Sequence, residues 1–167
     1  IKDIGASANK VRVTGNLKFD QKIPAVQQQP VAIAPGRKVI TAGSTHRGEE
    51  AILLEIYGRL RKKHHDLLLI IAPRHPERFD EVSGLITSAG YECQRRTRIK
   101  GPVKDVVLLD TIGELRAFYG LCNIAFVGGS LVKVGGHNLL EPAAMKKPVI
   151  FSSYMFNFKE ISEALIR

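Results

Sequence analysis

Asp66-Leu67-Leu68-Leu69-Ile70-Ile71-Ala72-Pro73 decides how this chain folds. The run from Leu67 to Ile71 is apolar without a break. A strand wet on one face alternates apolar with polar residues, so an unbroken run marks a strand covered on both sides. The flanking segments agree. Upstream, Val39-Ile40-Thr41-Ala42 reads as another apolar strand, and residues 49–63 as a helix with Ile52, Leu53, Ile56 and Leu60 on one face. Downstream, residues 76–89 read as helix, 91–96 as a more polar strand nearer an edge, 106–109 as strand and 114–120 as helix. Ile124-Ala125-Phe126-Val127 is then strand, 138–145 a short helix and 148–151 strand. Strand and helix in turn predict a Rossmann-like α/β domain: a mainly parallel sheet with helices on both faces.

The ends are less regular. The first residues read as the tail of a helix, Val11-Arg12-Val13 as a short strand, and residues 14–20 as the loop leaving it. Residues 21–36 carry Pro24, Pro30, Pro35 and three glutamines without helical or strand period, which predicts a linker or surface crossover. The α/β domain proper is expected over residues 37–167. The chain opens on Ile1-Lys2-Asp3 with no signal peptide, and residues 160–167 read as a helix without a stop signal. A piece of a longer protein is expected.

Composition bounds the function. With 167 residues, 44% hydrophobic and 25% charged, the chain is that of a soluble globular domain. No apolar run approaches the roughly 18–20 residues of a membrane span. Cys93 and Cys122, far apart and outside any Cys-x-x-Cys pattern, read as two structural thiols in a reducing setting. The five histidines show no metal-ligand spacing, and adjacent His64 and His65 end a basic helix as solvated residues. A net charge of +9 favours an anionic partner: nucleic acid, an anionic membrane face or a phosphorylated small substrate. There is no Trp and no RNA-binding aromatic signature, so nucleic acid is not expected.

In an open parallel sheet, ligands bind beyond the carboxyl ends of the strands. Four loops predicted to meet there are rich in polar residues. They are Gly43-Ser44-Thr45-His46-Arg47-Gly48-Glu49-Glu50, Pro73-Arg74-His75-Pro76-Glu77-Arg78, Asp110-Thr111-Ile112-Gly113-Glu114, and Gly128-Gly129-Ser130 continuing to Gly135-Gly136-His137-Asn138. Each also has a structural reading. Thr111-x-x-Glu114 fits a capping box, Asn138-x-x-Glu141 the related Asn cap, and Pro76 a helix's first position. In the fourth loop the glycines are expected to expose backbone N–H groups, and a helix starting at Asn138 to point its positive end at the same space, favouring phosphate. Arg47, Arg74 and Ser130 could add hydrogen bonds. Glu141 would repel phosphate but can accept from a pair of ribose hydroxyls. Donors for phosphate beside a carboxylate for ribose describe a nucleotide site. It is neither a Walker loop nor a dinucleotide fingerprint, since both glycine patterns are missing.

These motifs resemble the C-terminal domain of the Kdo transferases, Kdo being 3-deoxy-D-manno-octulosonic acid. The resemblance is carried by Gly15-Asn16-Leu17-Lys18-Phe19-Asp20, Gly43-Ser44-Thr45-His46-x-Gly48-Glu49-Glu50, Pro73-Arg74-His75-Pro76-Glu77-Arg78-Phe79, Ile112-Gly113-Glu114-Leu115, and Phe126-Val127-Gly128-Gly129-Ser130 through Gly135-Gly136-His137-Asn138 to Glu141-Pro142. It implies one half of a two-domain GT-B glycosyltransferase, inverting and metal-independent, with no cofactor. The donor substrate would be CMP-Kdo and the acceptor lipid A precursor, in lipopolysaccharide biosynthesis at the cytoplasmic face of the Gram-negative inner membrane. Residues 1–20 would close an interdomain crossover. The acceptor site, membrane anchor and catalytic glutamate would lie in an N-terminal domain, so this chain alone would be inactive.

Carried over by motif, Pro73 and Arg74 would lie by the cytidine, and Ile112 and Gly113 would bring backbone to base or phosphate. Ser44, Gly129 and Ser130 would line the phosphate, Asn138 and Glu141 would hold phosphate and ribose, and Lys18 would face the Kdo carboxylate. Thr45, Glu114 and His137 stand in the same motifs as further nucleotide-sugar-binding positions. Two positions depart from the pattern: Leu139, where proline is common, and Ser152-Ser153-Tyr154. Two alternatives stand beside this reading. One is a GT-B domain for another nucleotide sugar, such as a UDP-sugar. The other is a basic module binding nucleic acid or anionic lipid, on the strength of the charge alone.

Overall fold

A computed structural model describes residues 2–12 and 31–166. Six parallel strands form one sheet: β1 (Val39–Thr45), β2 (Leu68–Pro73), β3 (Cys93–Arg95), β4 (Val106–Leu108), β5 (Ile124–Val127) and β6 (Val149–Ile150), in the order β3-β4-β2-β1-β5-β6. The helices are α1 (Glu49–Arg61), α2 (Phe79–Ser88), α3 (Leu115–Leu121), α4 (Leu140–Ala144) and α5 (Lys159–Ile166). A 3-10 turn at Pro76–Arg78 leads into α2.

All six residues of β2 are buried. Leu68 and Ile70 face a core shared with Phe118 and Tyr119 of α3 and Ile161 of α5. Leu69 and Ile71 face a second core with Leu54 and Tyr57 of α1 and Val82 and Ile86 of α2. The unbroken apolar run is thus two cores read alternately from one strand, each large side chain contributing about 1.5–3 kcal/mol. The polar strand β3 sits at the sheet edge.

Three expectations change. In α1 the buried residues are Glu49, Glu50, Leu53, Leu54 and Tyr57, while Ile52 and Ile56 are 40% and 45% exposed. Tyr57 turns the helix: its single hydroxyl proton is shared between the carbonyls of Leu67 (3.0 Å) and Asp105 (2.8 Å), acceptors available only on the inward side. Secondly, Val31 is buried in the α3-side core and Ile33 packs on it, so the end of the presumed linker is part of the domain. Arg37 fastens the same segment, donating to the carbonyls of Asp66, Val103 and Lys104. Thirdly, Lys2–Ile4 and Ala8–Lys10 are 3-10 turns, and Val11 and Arg12 belong to no strand. Val13, the loop containing Lys18, and residues 21–30 lie outside the described residues.

Candidate functional site

After β1 the chain builds the sheet in one direction, through β2 to β4 and β3. From β4 it returns past β1 to β5 on the other side. Connections on either side of that point leave in opposite directions, which opens a crevice beyond the carboxyl ends of β1 and β5. The loops predicted to carry the site meet there.

Close approach of these loops is built from residues without side chains. A Cβ on Gly43 would lie 2.0 Å from the hydroxyl oxygen of Tyr119, and one on Gly128 2.4 Å from the carbonyl oxygen of Ser44. Ser44 itself has φ 56°, at the register shift between Gly43 and Thr45 that ends β1's regular pairing with β2. Left-handed backbone at a serine costs about 1–3 kcal/mol and persists only where its surroundings enforce it.

The surroundings include two adjacent buried carboxylates. Glu49 accepts from the backbone N–H groups of His46 (2.8 Å), Gly129 (2.8 Å), Ser130 (3.1 Å) and Leu131 (2.9 Å), and is fully buried. Glu50, also fully buried, accepts from Arg78 (2.8 and 3.2 Å) and from the Thr45 hydroxyl (2.8 Å). The hydrogen bonds from Arg78 to Glu50 raise the guanidinium's pKa further above its ordinary value. Such a carboxylate bridge fixes the β1–α1 turn against the β5 loop.

This arrangement corrects two readings of the fourth loop. The N–H groups of Gly129 and Ser130 are taken by Glu49, and that of Gly136 donates to the Gly129 carbonyl (2.8 Å), so these groups do not stand open. The helix expected from Asn138 is only Leu140–Ala144, and the Asn138 side-chain oxygen accepts from Leu140 N–H (3.1 Å). Likewise Thr111 is no N-cap: α3 begins at Leu115, and the Thr111 hydroxyl donates to the Glu114 carboxylate.

Three histidines from three of the quoted loop motifs, whose meeting the sequence does not show, gather on the rim. His46 and His137 stack with ring centroids 5.1 Å apart and Nε2 atoms 2.8 Å apart, and His75 meets His46 edge-on at 5.3 Å. Burial, then the neighbouring His46, Arg74 and His75, push His137 down to about 4. Burial also lowers His46, against the opposing pull of Glu49.

Beside them a cleft of about 170 Å3 is lined by Ser44, Pro73, Arg74, Thr111, Ile112 and Gly113, among others. Ile112 stands 83% exposed over it, on a turn whose Gly113 has φ 87°. Arg74 is exposed and has no carboxylate partner among the described residues. A solved structure shares this frame: the C-terminal CMP-Kdo binding domain of WaaA from Acinetobacter baumannii, at TM-score 0.74 and 38% identity, covering 79% of this chain and 70% of that one. The chain belongs to the Kdo transferase family.

Two curated Kdo transferases extend the likeness. That of Haemophilus influenzae is 41% identical over 170 residues, 98% of this chain, and that of Bordetella pertussis 40% identical over 170 residues, 96% of this chain. The chain spans 40% of the length of each. No family model matches.

Against the positions carried over from Kdo transferases, the structure brings Ser44, Pro73, Arg74, Ile112 and Gly113 to one cleft. Asn138, on the β5–α4 connection, donates to Glu141 in the first turn of α4 (3.2 Å), both half-buried. Thr45 and Ser130 are fully buried, their hydroxyls spent on Glu50 and on the Val127 carbonyl (2.7 Å). Glu114 pairs with Arg96 (2.9 Å). Arg47 turns away to an exposed ion pair with Glu81 (2.6 Å). Lys18 lies outside the described residues. The Ser152-Ser153-Tyr154 segment packs onto the glycine loop, with Tyr154 N–H donating to the Ser130 carbonyl (3.1 Å). Leu139, the departure from proline, is fully buried in the core.

Proposed function

We propose that this chain is the donor-binding domain of a Kdo transferase and holds CMP-Kdo in the crevice between β1 and β5. The observation that carries this reading is the cleft joining Ser44, Arg74 and Gly113 at the switch point of the sheet. Its support is the 38% identity to a CMP-Kdo binding domain. Arg74, a cation without a carboxylate partner among the described residues, is suited to the phosphate or the cytosine carbonyl. Glu141 offers carboxylate oxygens to the ribose hydroxyls, with Asn138 beside it.

In the longer enzyme this domain would present CMP-Kdo to lipid A precursor at the cytoplasmic face of the inner membrane, with Kdo leaving CMP for an acceptor hydroxyl. The transfer would be inverting, without metal or cofactor, and the base that takes the acceptor's proton would come from another domain. The chain alone then binds donor without turning it over. The net charge of +9 suits a site near anionic lipid.

Titration calorimetry with CMP and UMP tests the reading. CMP should bind at millimolar concentration or below and UMP more weakly. Folded protein giving no heat with CMP would overturn it, and a preference for UMP would move it to another nucleotide sugar.

A further inference from the structure

The usual way for a loop after a parallel strand to hold phosphate is a nest of backbone N–H groups. Here that nest is already filled. Gly129, Ser130 and Leu131 all donate to the fully buried Glu49 carboxylate, so they have nothing left for an anion in the crevice. The nearby arginines are also occupied, Arg47 by Glu81 and Arg78 by Glu50 and Glu81. Among the described residues at the cleft, Arg74 is the cation without a carboxylate partner, and one guanidinium does not match a phosphomonoester of charge near −2.

The groups placed to supply the second positive charge are His46 and His137. They join the loops after β1 and β5, on the two sides of the switch point. With Nε2 atoms 2.8 Å apart, only one proton fits between them; one ring donates and the other accepts. Without ligand, burial lowers both rings from the ordinary histidine value and so disfavours their charged forms. His46 faces Glu49 and Glu50 of α1, His75 and Arg78 after β2, and His137. His137 faces His46, Arg74 and His75, and no carboxylate among the described residues. An anion entering beside them would be the counter-charge that His137 lacks.

We infer that the His46–His137 pair is a proton-coupled phosphate subsite, taking up one proton from solvent when a nucleotide phosphomonoester binds. The inference rests on the donor-binding reading and deepens it. The proton goes onto the imidazole nitrogen that accepted within the pair, breaking the mutual hydrogen bond and turning that N–H toward a phosphate oxygen. A sugar phosphodiester carries one negative charge and the released monoester nearly two. The pair therefore answers the charge that appears on CMP when the sugar–phosphate bond breaks, which is leaving-group stabilisation.

Calorimetry of CMP binding at pH 6.5, in two buffers of different ionisation heat, reads the proton directly. Wild type should take up roughly half a proton or more per CMP, the histidine's gain outweighing the small release from the phosphate's own second ionisation near pH 6. In H46Q and H137Q the sign should invert to that small release. Cytidine, which lacks the phosphate, should bind wild type without proton exchange. Wild-type CMP binding without uptake overturns the inference and leaves the donor-binding reading standing. So does uptake that persists in both variants, or uptake with cytidine. Failure of folded wild type to bind CMP overturns both.

Discussion

The carboxylate of Glu49, on the first residue of α1, lies 2.8 Å from the backbone N–H of Gly129, eighty positions along the chain. With three further N–H donors, this one side chain ties the β1–α1 turn to the β5 loop. Glu49→Gln keeps the shape but leaves one accepting oxygen and turns an amide N–H2 on backbone N–H groups. A loss of roughly 2–4 kcal/mol is expected, since buried donors are left unsatisfied. Urea melts measure it; an unchanged midpoint would contradict the four-bond arrangement.

Glu50 and Glu81 allow a contrast between buried and exposed ion pairs. Removing Arg78 strands the fully buried Glu50, so Arg78→Met should cost about 3–5 kcal/mol. Removing Arg47, 78% exposed in its pair with Glu81, should cost less than about 1 kcal/mol. Equal effects on the two melts would show that burial does not separate them.

Much of this was legible from residue types and order. The alternation of strands and helices, the polar edge at β3 and the meeting of four loops follow from apolar runs and glycine-rich punctuation, which are local signals. The face of α1 was misread because Ile52 and Ile56 are as apolar as Leu53. What orients the helix is a hydroxyl bonded to carbonyls ten and forty-eight residues away. The same limit hid Glu49 and Glu50. Acidic residues opening a helix read as ordinary complements to its dipole, and nothing local shows that the β5 loop will close over them. His46, His75 and His137 likewise become a cluster only once β1, β2 and β5 are neighbours.

The histidines make stability depend on pH. Burial holds His137 near 4, below the ordinary value near 6.5, so between those values the unfolded chain binds more protons than the folded one. Stability contributed by the neutral ring is complete above about pH 6.5 and is lost as pH falls toward 4. The thermal midpoint of the unliganded protein should drop between pH 7 and 5, and less so in His137→Gln. Identical pH profiles for the two proteins would refute the assignment to His137.

Gly43 tests the packing under the crevice. Any Cβ there would meet the Tyr119 ring at 2.7 Å and its hydroxyl at 2.0 Å, and Tyr119 is fully buried. Gly43→Ala should destabilise by about 1–3 kcal/mol through overpacking. Adding Tyr119→Phe removes the hydroxyl and should recover part of that loss, an interaction that a double-mutant cycle reads out. Strict additivity would mean that the clash is relieved elsewhere.

Glu141 separates a ligand group from a structural one. Among the described residues its side-chain hydrogen bond is with Asn138, at 3.2 Å in the half-buried first turn of α4, so its removal leaves no stranded buried charge. If it accepts from the ribose hydroxyls, Glu141→Ala should weaken CMP binding by about 1.5–3 kcal/mol, the scale of a charged hydrogen bond, with little change in the melt. Glu141→Gln keeps one accepting oxygen and should recover part of the affinity. 2′,3′-Dideoxycytidine monophosphate should bind wild type and Glu141→Ala alike, because the hydroxyls on which the carboxylate acts are gone. A dideoxy nucleotide that still distinguishes the two proteins would place the role of Glu141 elsewhere in the site.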